Sequence, residues 1–160
     1  MKVAIKSMVY GLIFALVIAF ALLVAFVRLA PDDPARWNIP VSDASPAVAG
    51  PCAMQVHLAP KGAKATCLVP GDPATALGRL NAAALAAPRT TALAGTPQQG
   101  RMTWVSRSKL MAFPDYITAE AVPTPQGTRL DIYSRQRYGG YDWGVNALRL
   151  QAWLATLDHG

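Results

Sequence analysis

The densest run of chemically capable side chains in this sequence extends from Ser134 to Arg149 and reads Ser-Arg-Gln-Arg-Tyr-Gly-Gly-Tyr-Asp-Trp-Gly-Val-Asn-Ala-Leu-Arg. Guanidinium forks match the geometry of carboxylates and phosphates. Arg135, Arg137 and Arg149, with the amide of Asn146, are therefore candidates for holding a small anion or a lipid head group. A helix opening at Asp142 sets Asp142, Asn146 and Arg149 at i, i+4 and i+7 along one stripe and offers its first amides as further donors. The same residues also make a purely structural set. In that reading Asp142 caps the helix and accepts from Arg135 or Arg137, while Asn146 satisfies the backbone of the glycine turn. The structural reading is preferred, because ion-pair networks often hold a turn without binding anything.

Other chemistries find less support. A Ser-His-Asp arrangement lacks a placed base, since the two histidines are His57, in a proline-rich stretch, and His159, beside the last residue. Asp115, Glu120, Asp131 and Asp142 could pair as acid and base, but Asp131 and Asp142 have arginines nearby that account for them. A carboxylate hydrolase is thus the minority alternative, and no catalytic residue is assigned. Cys52, His57 and Cys67 are three irregularly spaced ligands, a weak zinc pattern, so no metal or cofactor is assigned either. Cys52 and Cys67 enclose 14 residues. In an oxidising compartment a bridge across such a loop contributes roughly 3 kcal/mol, with two free thiols as the alternative.

The order of polar residues in the run resembles the domain of unknown function 1499 family, whose signature looks like Ser-Arg-x-Arg-x-Gly followed by Asp-x-Gly-x-Asn-x-x-Arg. Ser134, Arg135, Arg137, Gly139, Asp142, Gly144, Asn146 and Arg149 fit it, and Phe113-Pro114-Asp115 matches an upstream family element. Gln136, Tyr141 and Ala147 depart from residues common there. The resemblance covers about Leu77 to Leu157. It implies a small α+β domain of the kind found in membrane-associated or exported proteins, and it supplies no reaction.

The elements that must position these residues follow from patterning. No charge occurs from Ser7 to Val27, and the 20 residues from Met8 to Val27 span roughly 30 Å as a helix, the thickness of a bilayer's hydrocarbon core. Residues 1–29 are expected to be a transmembrane anchor, with the bilayer as partner through residues 7–27. A cleaved signal peptide is the competing reading, disfavoured by the length of the run and by Arg28 before Ala30. Eight of the 13 prolines lie between this helix and residue 75. Repeated prolines argue against regular helix and central strands, so residues 30–72 are expected to be a tether, with Met54, Val56 and Leu58 alternating as a short strand might.

Residues 73–160 are expected to form the folded domain. Asp72-Pro73 offers a cap and first-turn proline to a helix over 74–87, with Ala76, Leu77, Leu80, Ala83, Ala84 and Ala87 at helical spacing. Strands are predicted at 90–93, 102–106, 116–122 and 128–137. On the last, Leu130 and Ile132 face the core, while Arg129, Asp131, Tyr133, Arg135 and Arg137 face solvent or a partner. A final helix is expected from Asp142 to about Leu157, with Trp143, Ala147, Leu150, Leu154 and Leu157 on its apolar face. The predicted class is α+β: a transmembrane helix, then a small antiparallel sheet with helices packed on one face.

Fifteen Lys and Arg against nine Asp and Glu give a net charge of +6. Lys2, Lys6 and Arg28 flank the apolar run, so from Leu29 onward 12 basic residues face 9 acidic ones, an ordinary soluble surface. Arg101, Arg107 and Lys109 neighbour Trp104, yet without a larger basic excess no nucleic-acid partner is expected, and Trp104 and Tyr116 read as core. Cations are balanced across the apolar run. The free amino terminus and the cysteine pair favour an inside N-terminus and an extracytoplasmic domain at the inner (plasma) membrane. The expected role is a binding or accessory domain of the cell envelope, within a membrane-protein complex, or a receptor for a small anionic or lipid-like ligand.

Overall fold

The computed structural model describes residues 2–41 and 50–158; His159 and part of the expected tether lie outside them. The chain opens with one long helix, α1 (Lys2–Leu29), of which the 25 residues Ile5–Leu29 are long and apolar enough to cross a membrane. Such a helix is either a membrane anchor or a signal sequence. A single helical turn, α2 (Pro34–Trp37), follows, with Pro34 in its first turn and the Asp33 carboxylate accepting from the Ala35 amide.

The domain is α+β. Strands β1 (Val56–Ala59), β2 (Gly62–Val69), β3 (Thr90–Thr96), β4 (Arg101–Arg107), β5 (Pro114–Thr124) and β6 (Gly127–Gln136) form one antiparallel sheet in the order β1-β2-β6-β5-β4-β3. Helices α3 (Pro73–Ala86) and α4 (Val145–Asp158) pack on one face of it. Asp72 caps α3 as its sequence predicts, accepting from the Thr75 amide at 3.0 Å. Leu77 and Leu80 from α3 and Leu150, Trp153 and Leu154 from α4 meet Trp104, Ile117, Leu130 and Ile132 from the sheet in the main core.

Two expectations are corrected. Residues 56–69, assigned to the proline-rich tether, supply β1 and β2, and β2 is an interior strand paired on both sides. The prolines at 60 and 70 bracket this eight-residue strand and remove none of its ladder bonds. Its small residues permit close pairing: a Cβ on Gly62 would lie 2.0 Å from the Ser134 carbonyl oxygen. Beside it, a short 3-10 turn at Cys52–Gln55 replaces the start of the anticipated strand. Cys52 and Cys67 are bonded, with Cα atoms 5.3 Å apart and both side chains in the main core. The Asp158 carboxylate accepts from the Cys52 and Ala53 amides and fastens this turn to the end of α4.

The far face of the sheet is expected from strand alternation to meet solvent or a partner, which the structure also corrects. The chain itself covers it. Residues 31–41 run across this face as a strap: Trp37 stacks on Tyr116 with centroids 3.8 Å apart and planes at 7°, beside Val105 and Leu93. The Arg107 guanidinium pairs with Asp32 at 2.6 Å, the Tyr116 hydroxyl donates to the same carboxylate, and the Val41 amide donates to Glu120. Burial and the Asp32 acceptor push the Tyr116 phenol up to about 12. The buried Arg135 guanidinium donates to the Trp37 carbonyl at 2.7 Å and lies against the Trp37 and Tyr133 rings.

Trp37 is therefore a fold residue. Trp37→Ala is expected to lower the unfolding free energy of the full chain in detergent by about 3 kcal/mol, measured by urea titration, whereas truncating its exposed neighbour in Arg36→Ala leaves the midpoint nearly unchanged.

Candidate functional site

Strand alternation divides the arginine-rich run between the two faces of the sheet. Ser134 shares a side with Leu130 and Ile132 and looks toward α4, while Arg135 and Arg137 look toward the strap. Arg137 donates to the Pro31 carbonyl at 2.9 Å and to the Tyr116 hydroxyl. The five residues singled out in the sequence thus form two separate groups. Arg135 and Arg137 hold the strap; Asp142, Asn146 and Arg149 meet on the helix face with Ser134 and Asp115.

Asn146 is the hub of the second group and has no solvent exposure. Its Nδ2 donates to Asp142 at 2.8 Å, and its Oδ1 accepts from the Ser134 hydroxyl and, at 2.6 Å, from Arg149. Arg149 extends to Asp115 at 2.9 Å, the register neighbour of Gln136 on β5. Asp142 caps α4 through the amides of Gly144 and Asn146, so it accepts from main chain rather than from Arg135 or Arg137. Because the cap takes up these amides, the helix start is not an open anion site. The helix begins at Val145 rather than Asp142, since Trp143 and Gly144 have φ of +54° and +77°, outside the helical region. Trp143, expected in the core, is consequently 85% exposed.

The two carboxylates differ. Burial disfavours charge on Asp142, but hydrogen bonds from the Asn146 side chain and the Asn146 and Gly144 amides outweigh this and hold it below the usual range. Burial pushes Asp115 up, Arg149 offsets part of that, and the Asp142 charge adds to the rise. Glu120 and Asp131, the other carboxylates considered as an acid–base pair, oppose each other on the strap face and pair with Arg101 and Arg129. They do not join Asp115.

Two clefts flank this network. One, of about 620 Å³, lies between the end of α3 and the start of α4 and is lined by Arg89, Arg107, Lys109 and Arg149 together with Asp115 and Trp153. The other, of about 430 Å³, is walled by Phe113, Gln136, Tyr138, Tyr141, Trp143 and Asp142. Ser108, Asp115 and Val145 line both, so Asp115 stands on the ridge between a basic cleft and an aromatic one. Gln136, only 9% exposed, has an Nε2 with no hydrogen-bond partner, and so does the Tyr138 hydroxyl. Sequence reasoning singled out neither. The signal available was the parity of Gln136 with Ser134 and the clustering of four aromatic residues in 137–144 and at Phe113. With both sulfurs in the disulfide, Cys52 and Cys67 offer no thiolate beside His57; among the described residues no three His, Cys, Asp or Glu side chains converge.

The family model described as "Protein of unknown function (DUF1499)" matches residues 32–157, beginning at the strap residue that pairs with Arg107. No curated protein matches the chain.

Removing the guanidinium in Arg149→Met strands the Asp115 charge beside Asp142 and is expected to cost about 3 kcal/mol near neutral pH. A carboxyl whose folded pKa is raised favours the fold below its unfolded value and forfeits that contribution as pH rises through the folded one. The deficit of the variant should therefore shrink when urea titrations are repeated below about pH 4, near the ordinary carboxylate range.

Proposed function

We propose that this chain, which belongs to the DUF1499 family of proteins of unknown function, is a single-pass membrane-anchored binding domain of the cell envelope that receives a small anionic amphiphile in the paired clefts. The observation that carries this reading is the pair of buried donors, Gln136 Nε2 and Tyr138 OH, in the wall of the aromatic cleft without a protein partner. A buried donor left unpaired costs about 1–3 kcal/mol, which a ligand acceptor recovers once the side chain turns into the cleft. The neighbouring surfaces fit the two halves of an amphiphile: Phe113, Tyr138 and Val145 suit an apolar portion, and Lys109 and Arg89 suit an anionic head. An anion alone is a poorer match, because the helix start is filled by Asp142 and Arg149 is already paired.

The length and apolar composition of Ile5–Leu29 support an anchor, with the N-terminus inside and the domain outside, where the Cys52–Cys67 bond is stable.

The test uses the full chain in nonionic detergent with dihexanoyl-phosphatidylglycerol as probe. At about ten times its dissociation constant, linkage contributes about 1.4 kcal/mol and raises the melting temperature by about 4 °C. Inorganic phosphate should give no comparable shift, and Gln136→Leu should abolish the one seen with the lipid. Absence of a shift, or an equal shift in Gln136→Leu, contradicts the assignment. For topology, a reporter enzyme active only in the cytoplasm and fused after Gly160 should be silent; activity would reverse the orientation.

A further inference from the structure

We infer that the end of the sheet carrying both clefts rests on the bilayer surface, with Leu110, Tyr141 and Trp143 in the interfacial layer, so that the clefts open onto lipid. This rests on the reading that Ile5–Leu29 is retained in the membrane, and it adds which part of the domain meets the lipid.

The strand order sorts the loops into two ends. Residues 60–61, 87–89, 108–113 and 137–144 lie at one end with the start of α4; residues 70–72, 97–100 and 125–126 lie at the other with the end of α4. Helix α1 joins the first end. Arg28, in its last turn, donates to the Leu110 carbonyl at 3.4 Å, and Arg137 grips the Pro31 carbonyl just beyond it. Val27 is 2% exposed although the helix before it is almost wholly exposed. The strap then leads directly onto the sheet through Asp32 and Trp37, leaving no slack between helix and domain. A helix that spans the bilayer and ends at Leu29 holds these loops at the depth of its own terminus.

The composition of the two ends agrees with this placement. Leu110 is 81% exposed, Tyr141 68% and Trp143 85%, and the Tyr141 and Trp143 rings meet edge to face at 5.3 Å. Tyrosine and tryptophan favour the membrane–water boundary, where the ring is apolar and its polar atom is wet. The cations Lys61, Arg89 and Lys109 share these loops, whereas among the described residues the loops of the far end carry one charge, Asp72, and no aromatic residue. Such a division gives one end an attraction to lipid phosphates that the other lacks. The four residues other than glycine with positive φ, namely Lys61, Arg89, Ala112 and Trp143, all fall in the first set of loops among the described residues. Both clefts are lined from this end, by Ser108 and by Lys109 or Trp143.

The experiment places the full chain in nanodiscs of phosphatidylcholine brominated on the acyl chain near the head group. Trp143 is the exposed tryptophan, since Trp37, Trp104 and Trp153 are all buried. Tryptophan emission should be quenched by the brominated lipid, a quenching that disappears in Trp143→Phe, while aqueous iodide should quench the natural chain no more than it quenches that variant. Resistance to alkaline carbonate is scored on the same preparation. A chain that stays with the disc while Trp143 is quenched by iodide and untouched by bromolipid overturns this inference and leaves the anchor reading standing. Extraction by carbonate overturns both. Protection from iodide without bromolipid quenching would place a protein rather than lipid on this end, and would also overturn it.

Discussion

A buried side-chain amide must satisfy both its donor and its acceptor capacity, and at Asn146 that requirement ties three parts of the domain together. Its Oδ1 draws in the Ser134 hydroxyl from β6 and the Arg149 guanidinium from the next turn of α4, while its Nδ2 reaches back to the Asp142 cap. Few apolar contacts have such directional consequences, because a neighbour displaced here leaves a polar group unpaired in a site without water access. Through Arg149 the network continues to Asp115 on β5. The ridge between the clefts, the cap of α4 and the course of the 137–144 loop are therefore set together.

The sheet that carries this hub is covered on both sides by different means. Helices α3 and α4 bury one face with aliphatic and indole side chains around the disulfide. The strap buries the other with a single stacked ring and a ladder of polar contacts from Asp32, Trp37 and Asn38 to Arg107, Tyr116, Thr118, Arg135 and Thr103. Arg135 and Arg137, two of the three arginines that look like anion ligands in the sequence, serve main-chain carbonyls of this strap. A segment that reads as a loose tether by its prolines is instead the piece that fixes the domain relative to the apolar helix.

What could be read from the sequence follows the strength of local signals. Helix α3 was visible in its Asp72-Pro73 opening and its small apolar stripe, and β4, β5 and β6 in their alternation. Strand β2 escaped because proline density was averaged over 30–72, although 62–69 contains no proline. Its Ala63, Ala65, Cys67 and Val69 carry the period of two that marks a strand, in residues too small to stand out. The polar cluster is half legible. Spacing brings Asp142, Asn146 and Arg149 together, although Asp142 joins them as the cap ahead of the helix rather than from within it. It does not separate Arg135 and Arg137 from them, which the parity that puts Ser134 on that side requires. Trp143 was counted as helix by spacing, which the positive φ values at 143 and 144 break. Nothing in a single sequence marked Gln136 or Tyr138 as unpaired; that depends on which groups surround them in three dimensions.

One amide, that of Asn146, couples the end of β6 to the start of α4 and so shapes both clefts. Amide hydrogen exchange of the full chain, compared between the natural sequence and Asn146→Ala, tests it most directly. Protection is expected to fall together across residues 134–138 and 145–149, while the middle of the β4–β5 pair around Thr103 and Thr118 keeps its protection. A loss confined to residues 145–149, with 134–138 exchanging as before, would contradict it.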